Sequence, residues 1–99
     1  DTLIDLGSGD GRVVVTAAKR GAKALGVDLD RVLLTQARQL AERERVAERA
    51  TFREQNLFET DLSSATVVTS YLLPEINLKL RPKILALKPG TRVVAHDYH

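Results

Sequence analysis

The chain contains no cysteine, methionine or tryptophan, only two histidines, and four aromatic residues, Phe52, Phe58, Tyr71 and Tyr98. Without cysteine there is no disulfide, no thiolate nucleophile and no cysteine zinc site, and two histidines give no reason to expect a structural metal. Four aromatics supply a poor stacking platform for single-stranded nucleic acid. No apolar run approaches the roughly 20 residues of a membrane-spanning helix. No charged-then-apolar segment opens the chain, so no membrane association and a cytoplasmic setting are the expectations. Charge is weakly biased as well: 15 Lys and Arg against 13 Asp and Glu leave a net +2. That balance neither demands nor excludes a nucleic-acid partner.

What remains is ordinary globular composition, 43% hydrophobic and 28% charged over 99 residues. This is one small domain, residues 1–99, with room for a single core. The chain opens and closes on strand-like segments and has no methionine at position 1. A fragment or a reduced domain is therefore expected.

The most informative stretch is Asp5-Leu6-Gly7-Ser8-Gly9-Asp10-Gly11, after the apolar Leu3-Ile4 and before Arg12-Val13-Val14-Val15. It reads as a strand, a glycine turn and a helix start. Glycines at alternate positions permit positive φ and leave no Cβ to hold a ligand away from the backbone. The following helix directs its free N–H groups and positive dipole end at the turn. A dinucleotide site would use G-x-G-x-x-G. Here the spacing is G-x-G-x-G with Asp5 two residues ahead, and a carboxylate there suits an ammonium group better than a pyrophosphate.

Along the rest of the chain, strands are predicted over Thr2 to Leu6, Lys23 to Val27, Ala50 to Glu54, Ala65 to Thr69 and Thr91 to Ala95. Helices are predicted over Arg12 to Arg20, with Gly21 at the left-handed C′ position, and over Arg31 to Val46, with Asp30 as N-cap. Leu33, Ala37, Leu40 and Ala41 form the apolar stripe of the second helix. A further segment begins at Pro74 and carries Ile76, Leu80, Ile84 and Leu87 on one face; Pro82 is expected to split it into two short helices. Alternating strands and helices imply an α/β fold, a doubly wound parallel sheet in the order 3-2-1-4-5, binding its ligand beyond the carboxyl ends of strands one and four. Asp28, closing the second strand, is placed to accept both hydroxyls of a ribose once capping is assigned to Asp30. Leu29 is placed to pack on a base. His96 and Asp97 end the fifth strand at the same rim, either facing a substrate or belonging to a frayed terminus.

The pattern D-x-G-x-G-x-G after a strand resembles the first motif of the class I S-adenosylmethionine-dependent methyltransferases, Rossmann-like enzymes of seven strands. Together with Tyr71-Leu72-Leu73-Pro74 and Lys88-Pro89-Gly90-Thr91-Arg92-Val93-Val94, it is most similar to the small protein-lysine methyltransferases whose eukaryotic relatives modify the adenine nucleotide translocase and an ATP synthase subunit. The resemblance implies methyl transfer from S-adenosylmethionine to a protein lysine amine. It implies cofactor binding by Asp5, Gly7, Ser8, Gly9, Asp10, Gly11, Asp28, Leu29, Asn56 and Leu57. It also implies that strands six and seven and a helix before the first strand are absent from this chain. The family usually has an aspartate for the adenine amino group where Asn56 stands; Asn56 can accept that bond or simply form a turn. Tyr71 and the carbonyls of Ser70 to Leu72 would accept hydrogen bonds from the target nitrogen, whereas a partly buried core tyrosine is the equal alternative for Tyr71.

Other readings share these residues. An RNA or small-molecule methyltransferase would keep the cofactor site and differ at the rim. A nicotinamide-dependent oxidoreductase would need the missing G-x-x-G spacing. A binding or assembly module would keep the pocket without turnover. The fifth strand, as an edge, offers a route to self-association.

Overall fold

The structure, a computed structural model, describes residues 1–95; residues 96–99, including His96 and Asp97, lie outside the described residues. Five strands, β1 (Thr2–Leu6), β2 (Lys23–Asp28), β3 (Ala50–Glu54), β4 (Val67–Ser70) and β5 (Arg92–Ala95), alternate with α1 (Arg12–Lys19), α2 (Arg31–Arg43) and α3 (Pro74–Leu85). A 3-10 turn, Leu57–Glu59, sits between β3 and β4. The sheet is parallel throughout, in the order β3-β2-β1-β4-β5, as the alternation predicts.

Period-two alternation divides the core into an upper part under α1 and α2 and a lower part under α3. Leu3, Ala24, Ala50 and Phe52 face α1 and α2, burying Val14, Val15, Ala18, Leu34, Ala37 and Ala41. Ile4, Leu6, Val27 and Val68 face the other way, against Leu80 of α3 with Ile76, Ile84 and Leu87 beside it. Val13-Val14-Val15 therefore forms helix despite its strand propensity, because two of the three valines are buried against the sheet. The stripe of α2 is rotated from its predicted position: Leu34 is buried with Ala37 and Ala41, and Leu33 and Leu40 flank it half-buried.

Gly21 takes φ +97, and its N–H and that of Ala22 return to the carbonyls of Ala18 and Ala17 at 3.0 and 3.1 Å. This Schellman closure ends α1 one residue earlier than predicted. The second helix ends at Arg43 rather than Val46 by the same device. Arg45 has φ 59, its N–H bonds to Glu42 O at 3.1 Å, and Val46 N–H bonds to Ala41 O at 3.0 Å. The buried Val46 rewards the turn, and no glycine marks it. Because arginine strains in this conformation while glycine does not, Arg45→Gly should stabilise the domain by about 0.5–1 kcal/mol. A rise in urea midpoint at unchanged slope would register it; a fall would show that Arg45 contributes more than its backbone.

Three strands also differ in their limits, β5 beginning at Arg92 rather than Thr91. β4 is shifted to Val67–Ser70 and β2 extends to Asp28, because pairing with β1 and β3 sets their limits. Pro82 does not split α3. The carbonyl it leaves without a donor belongs to Leu78, and both residues lie on the exposed face of the helix, where water can serve that carbonyl.

Candidate cofactor and acceptor site

The carboxyl ends of β1, β2 and β4 bring most of the predicted residues together. The glycine turn is tied to β2 by Gly7 N–H and Ser8 N–H, which both donate to Val27 O at 2.9 and 3.0 Å. Gly7, Gly9 and Gly11 all have positive φ, but their missing side chains serve different ends. A Cβ on Gly11 would stand 2.7 Å from Ala37 Cβ and 2.9 Å from Phe52 Cζ, so this glycine lets the turn pack on α2 and β3. A Cβ on Gly7 would collide with the Leu72 side chain. Of these three glycines, Gly9 is the one whose Cβ direction meets none of the described residues, so it fits the expectation of ligand access.

Asp28 closes the loop from the opposite side. Its Oδ2 accepts Gly9 N–H at 2.8 Å and its Oδ1 accepts Asp30 N–H at 3.0 Å. Asp30 caps α2 as predicted, accepting from Val32 and Leu33 N–H. Asp28 is thus engaged, yet each oxygen retains a second acceptor site. Leu29 beside it is 63% exposed. Asp10 pairs with Arg12 at 2.9 Å and accepts its backbone N–H at 3.3 Å, an arrangement that steadies the first turn of α1.

Asp5 is buried at 2% exposure. It lies in register between Gly26 of β2 and Thr69 of β4, and Thr69 Oγ1 donates to its Oδ1 at 2.8 Å. Burial lifts its carboxyl from 3.8 to about 7; the Thr69 bond opposes the shift and the Asp28 charge adds to it. Gly26 makes room for this row: a Cβ there would stand 2.6 Å from Ser8 Cβ and 2.9 Å from Phe52 Cδ1. Ser8 Oγ is buried there with no hydrogen-bond partner among the described residues. An orphaned buried hydroxyl and a buried carboxylate fit a ligand with a cationic end, and the open glycine beside them leaves the backbone accessible.

At the end of β3, Asn56 Oδ1 accepts Phe58 N–H at 2.9 Å and caps the 3-10 turn, the turn-forming role weighed for it. Leu57 is half-buried beside the lower core. At the end of β4, Tyr71 is 41% exposed and Leu72 packs behind Gly7. The Ser70 hydroxyl is buried and donates to Asn77 Oδ1 at 2.6 Å. An apolar groove between α3 and β5, lined by Pro74, Leu80, Ile84 and Val93, borders Ser70 and Asn77 from the other side.

Three residues of this cluster escape the sequence reading. Gly26 carries a usable signal, since a glycine inside a strand marks close backbone approach. Asn77 carries a weaker one, a poor helix former on an otherwise apolar face. Thr69 carries none, because threonine is ordinary in a strand.

A parallel sheet in this order, with a glycine turn after β1 and an acid closing β2, defines a Rossmann-like methyltransferase core. The chain belongs to the family described as the ANTKMT methyltransferase domain, whose model matches residues 5–99. It is 46% identical over 101 residues to a protein-lysine N-methyltransferase of Saccharolobus islandicus, covering 99% of this chain and 63% of that protein. It is 34% identical over 94 residues to the ATP synthase c-subunit lysine N-methyltransferase of Caenorhabditis elegans, covering 95% of this chain and 50% of that one. The chain therefore spans about half to two thirds of these relatives. Among solved structures it is similar to an RNA methyltransferase from Salinibacter ruber in complex with S-adenosyl-L-homocysteine. The TM-score is 0.92 at 50% identity, covering all of this chain and 66% of that one.

Proposed function

We propose that this chain carries the cofactor cradle and part of the acceptor rim of an S-adenosylmethionine-dependent methyltransferase that modifies a lysine amine of a protein in the cytoplasm. The observation that carries the reading is the grouping of Asp5, the open Gly9 and Asp28, joined by the Gly9–Asp28 bond, in a chain whose match to the family model covers residues 5–99. When bound, S-adenosylmethionine supplies a methyl group on a positively charged sulfur, a leaving group already activated. Asp5 and the Ser8 hydroxyl take its cationic amino-acid end. Asp28 accepts the ribose hydroxyls on its second acceptor sites, and Leu29, Asn56 and Leu57 flank the base. Gly7 and Gly11 shape the loop by packing, and Asp10 holds it through Arg12.

Methylating an amine asks the protein mainly to align the nucleophile and keep water out. Tyr71 and the backbone carbonyls of Ser70 and Leu72 receive the hydrogen bonds of the target nitrogen, and the Tyr71 ring favours a nearby cation. Tyr71→Phe should leave S-adenosylhomocysteine affinity within about twofold while turnover falls about tenfold, the worth of roughly 1.4 kcal/mol of hydrogen bonding. Equal turnover would remove Tyr71 from the chemistry.

A second reading, an RNA acceptor, is favoured by the description of the Salinibacter ruber protein as an RNA methyltransferase. Incubation with labelled S-adenosylmethionine and a cell lysate, followed by separation of protein, RNA and small molecules, distinguishes the two. Label in protein is the expected result. Label in RNA alone would sink the lysine proposal.

A further inference from the structure

We infer that Asn77 is a positioning residue for the methyl acceptor: from α3 it clasps both sides of Tyr71 and fixes the carbonyls that the target amine meets. The inference rests on the methyltransferase reading above. One side-chain amide spans the loop, with Oδ1 accepting from Ser70 Oγ at 2.6 Å and Nδ2 donating to Leu72 O at 3.2 Å. The polarity is dictated by chemistry. The Leu72 carbonyl can only accept, so Nδ2 must face it, Oδ1 must face Ser70, and the Ser70 hydroxyl must donate.

Of the two residues so held, Ser70 is the last of β4, paired with Leu6 and Ala95, and Leu72 lies beyond the sheet. β4 ends at Ser70 and α3 begins at Pro74, with no side-chain cap from Leu73. Residues 71 to 73 between them belong to neither element. Asn77 anchors that segment from below, and the Leu72 side chain, lodged where Gly7 lacks a Cβ, anchors it against the cofactor turn. Tyr71 stands between the two anchors at the rim.

Packing alone does not account for an asparagine here. Its helix neighbours Ile76, Leu80 and Ile84 pack against the lower core, and asparagine is among the weaker helix formers. A helix built only for stability would carry leucine at such a half-buried position. An amide earns its place when a loop needs one donor and one acceptor two residues apart.

The test needs no acceptor protein. Sinefungin, an analogue of S-adenosylhomocysteine with an amine beside the position of the transferred methyl, presents an N–H donor to the groups that receive the target nitrogen. S-adenosylhomocysteine lacks that donor. Calorimetry on the full chain should show Asn77→Leu binding S-adenosylhomocysteine within about threefold of the original while sinefungin weakens about tenfold, because both loop bonds are lost. Asn77→Asp keeps the acceptor for Ser70 and loses the donor to Leu72, so its preference should fall between the two; it carries the test if the leucine variant does not fold. An unchanged sinefungin preference in the folded variants, or equal weakening of both ligands, overturns the inference and leaves the methyltransferase reading intact. An original chain that binds neither ligand overturns that reading and this inference together.

Discussion

Gly11→Ala is expected to destabilise the domain by about 2–5 kcal/mol, combining roughly 1–2 kcal/mol for a left-handed backbone with 1–3 kcal/mol for overpacking. The φ of +89 supplies the first term. Contacts of 2.7 Å to Ala37 Cβ and 3.0 Å to Ala37 Cα supply the second, and the backbone atom cannot swing aside as a side-chain tip could. Gly9→Ala is the control. It has φ +56 and nothing within 4 Å of the added methyl, so it should cost about 1–2 kcal/mol, the backbone term alone. Urea unfolding of the two variants separates conformation from packing. Equal losses would mean that the fit of the turn against α2 is looser than the distances state. Since small domains are stable by about 5–15 kcal/mol in total, Gly11→Ala also tests whether the turn organises the upper core.

Asp5→Asn is expected to stabilise the protein at pH 8 and to abolish one segment of its pH dependence. The Asp5 carboxyl is raised from 3.8 to about 7 by burial, with a smaller contribution from Asp28. The folded state therefore holds this proton more tightly than the unfolded state. Between about pH 4 and pH 7 the folded protein binds more protons, so stability falls as pH rises through that window and levels off above it. A shift of this size corresponds to an effect on the order of 4 kcal/mol. Asparagine keeps an acceptor for Thr69 Oγ1 and carries no charge to bury. The difference between original and variant in urea unfolding should be small near pH 4 and should grow to its full value by pH 8. Parallel stability profiles would show that Asp5 does not titrate in this range. The same substitution should weaken S-adenosylhomocysteine binding, because the buried negative charge that destabilises the free domain is the group assigned to the cationic end of the cofactor. A buried carboxylate near the carboxyl end of β1 that destabilises the free domain is consistent with the cofactor role proposed for Asp5.

How much of the site is legible before folding depends on how local its determinants are. Asp5 to Gly11 announces itself because turn, helix start and acid are consecutive, and Asp30 announces itself because a cap is a four-residue event. Asp28 is legible from its place at a strand end, although its bond to Gly9 is not, since the two residues are 19 positions apart. The end of α2 is misread because its left-handed residue is an arginine, accepted for the sake of burying Val46. The continuity of α3 through Pro82 is misread because the exposure of that face is a property of the packed helix. Asn56 is divided between two roles until the 3-10 turn forms under it.

The sequence by itself determined the order of elements and the parallel sheet, because these follow from hydrophobic period, turn chemistry and strand ends. Only the tertiary structure decided what each small residue is for. Gly11 packs on α2, Gly7 receives Leu72, Gly26 makes room for Ser8, and Gly9 remains open. It also set the proton affinity of Asp5, through burial between β2 and β4, and joined Asn77 to the loop around Tyr71. Those properties depend on distances between residues far apart in the chain, and no local pattern encodes a distance that arises only when the sheet has closed.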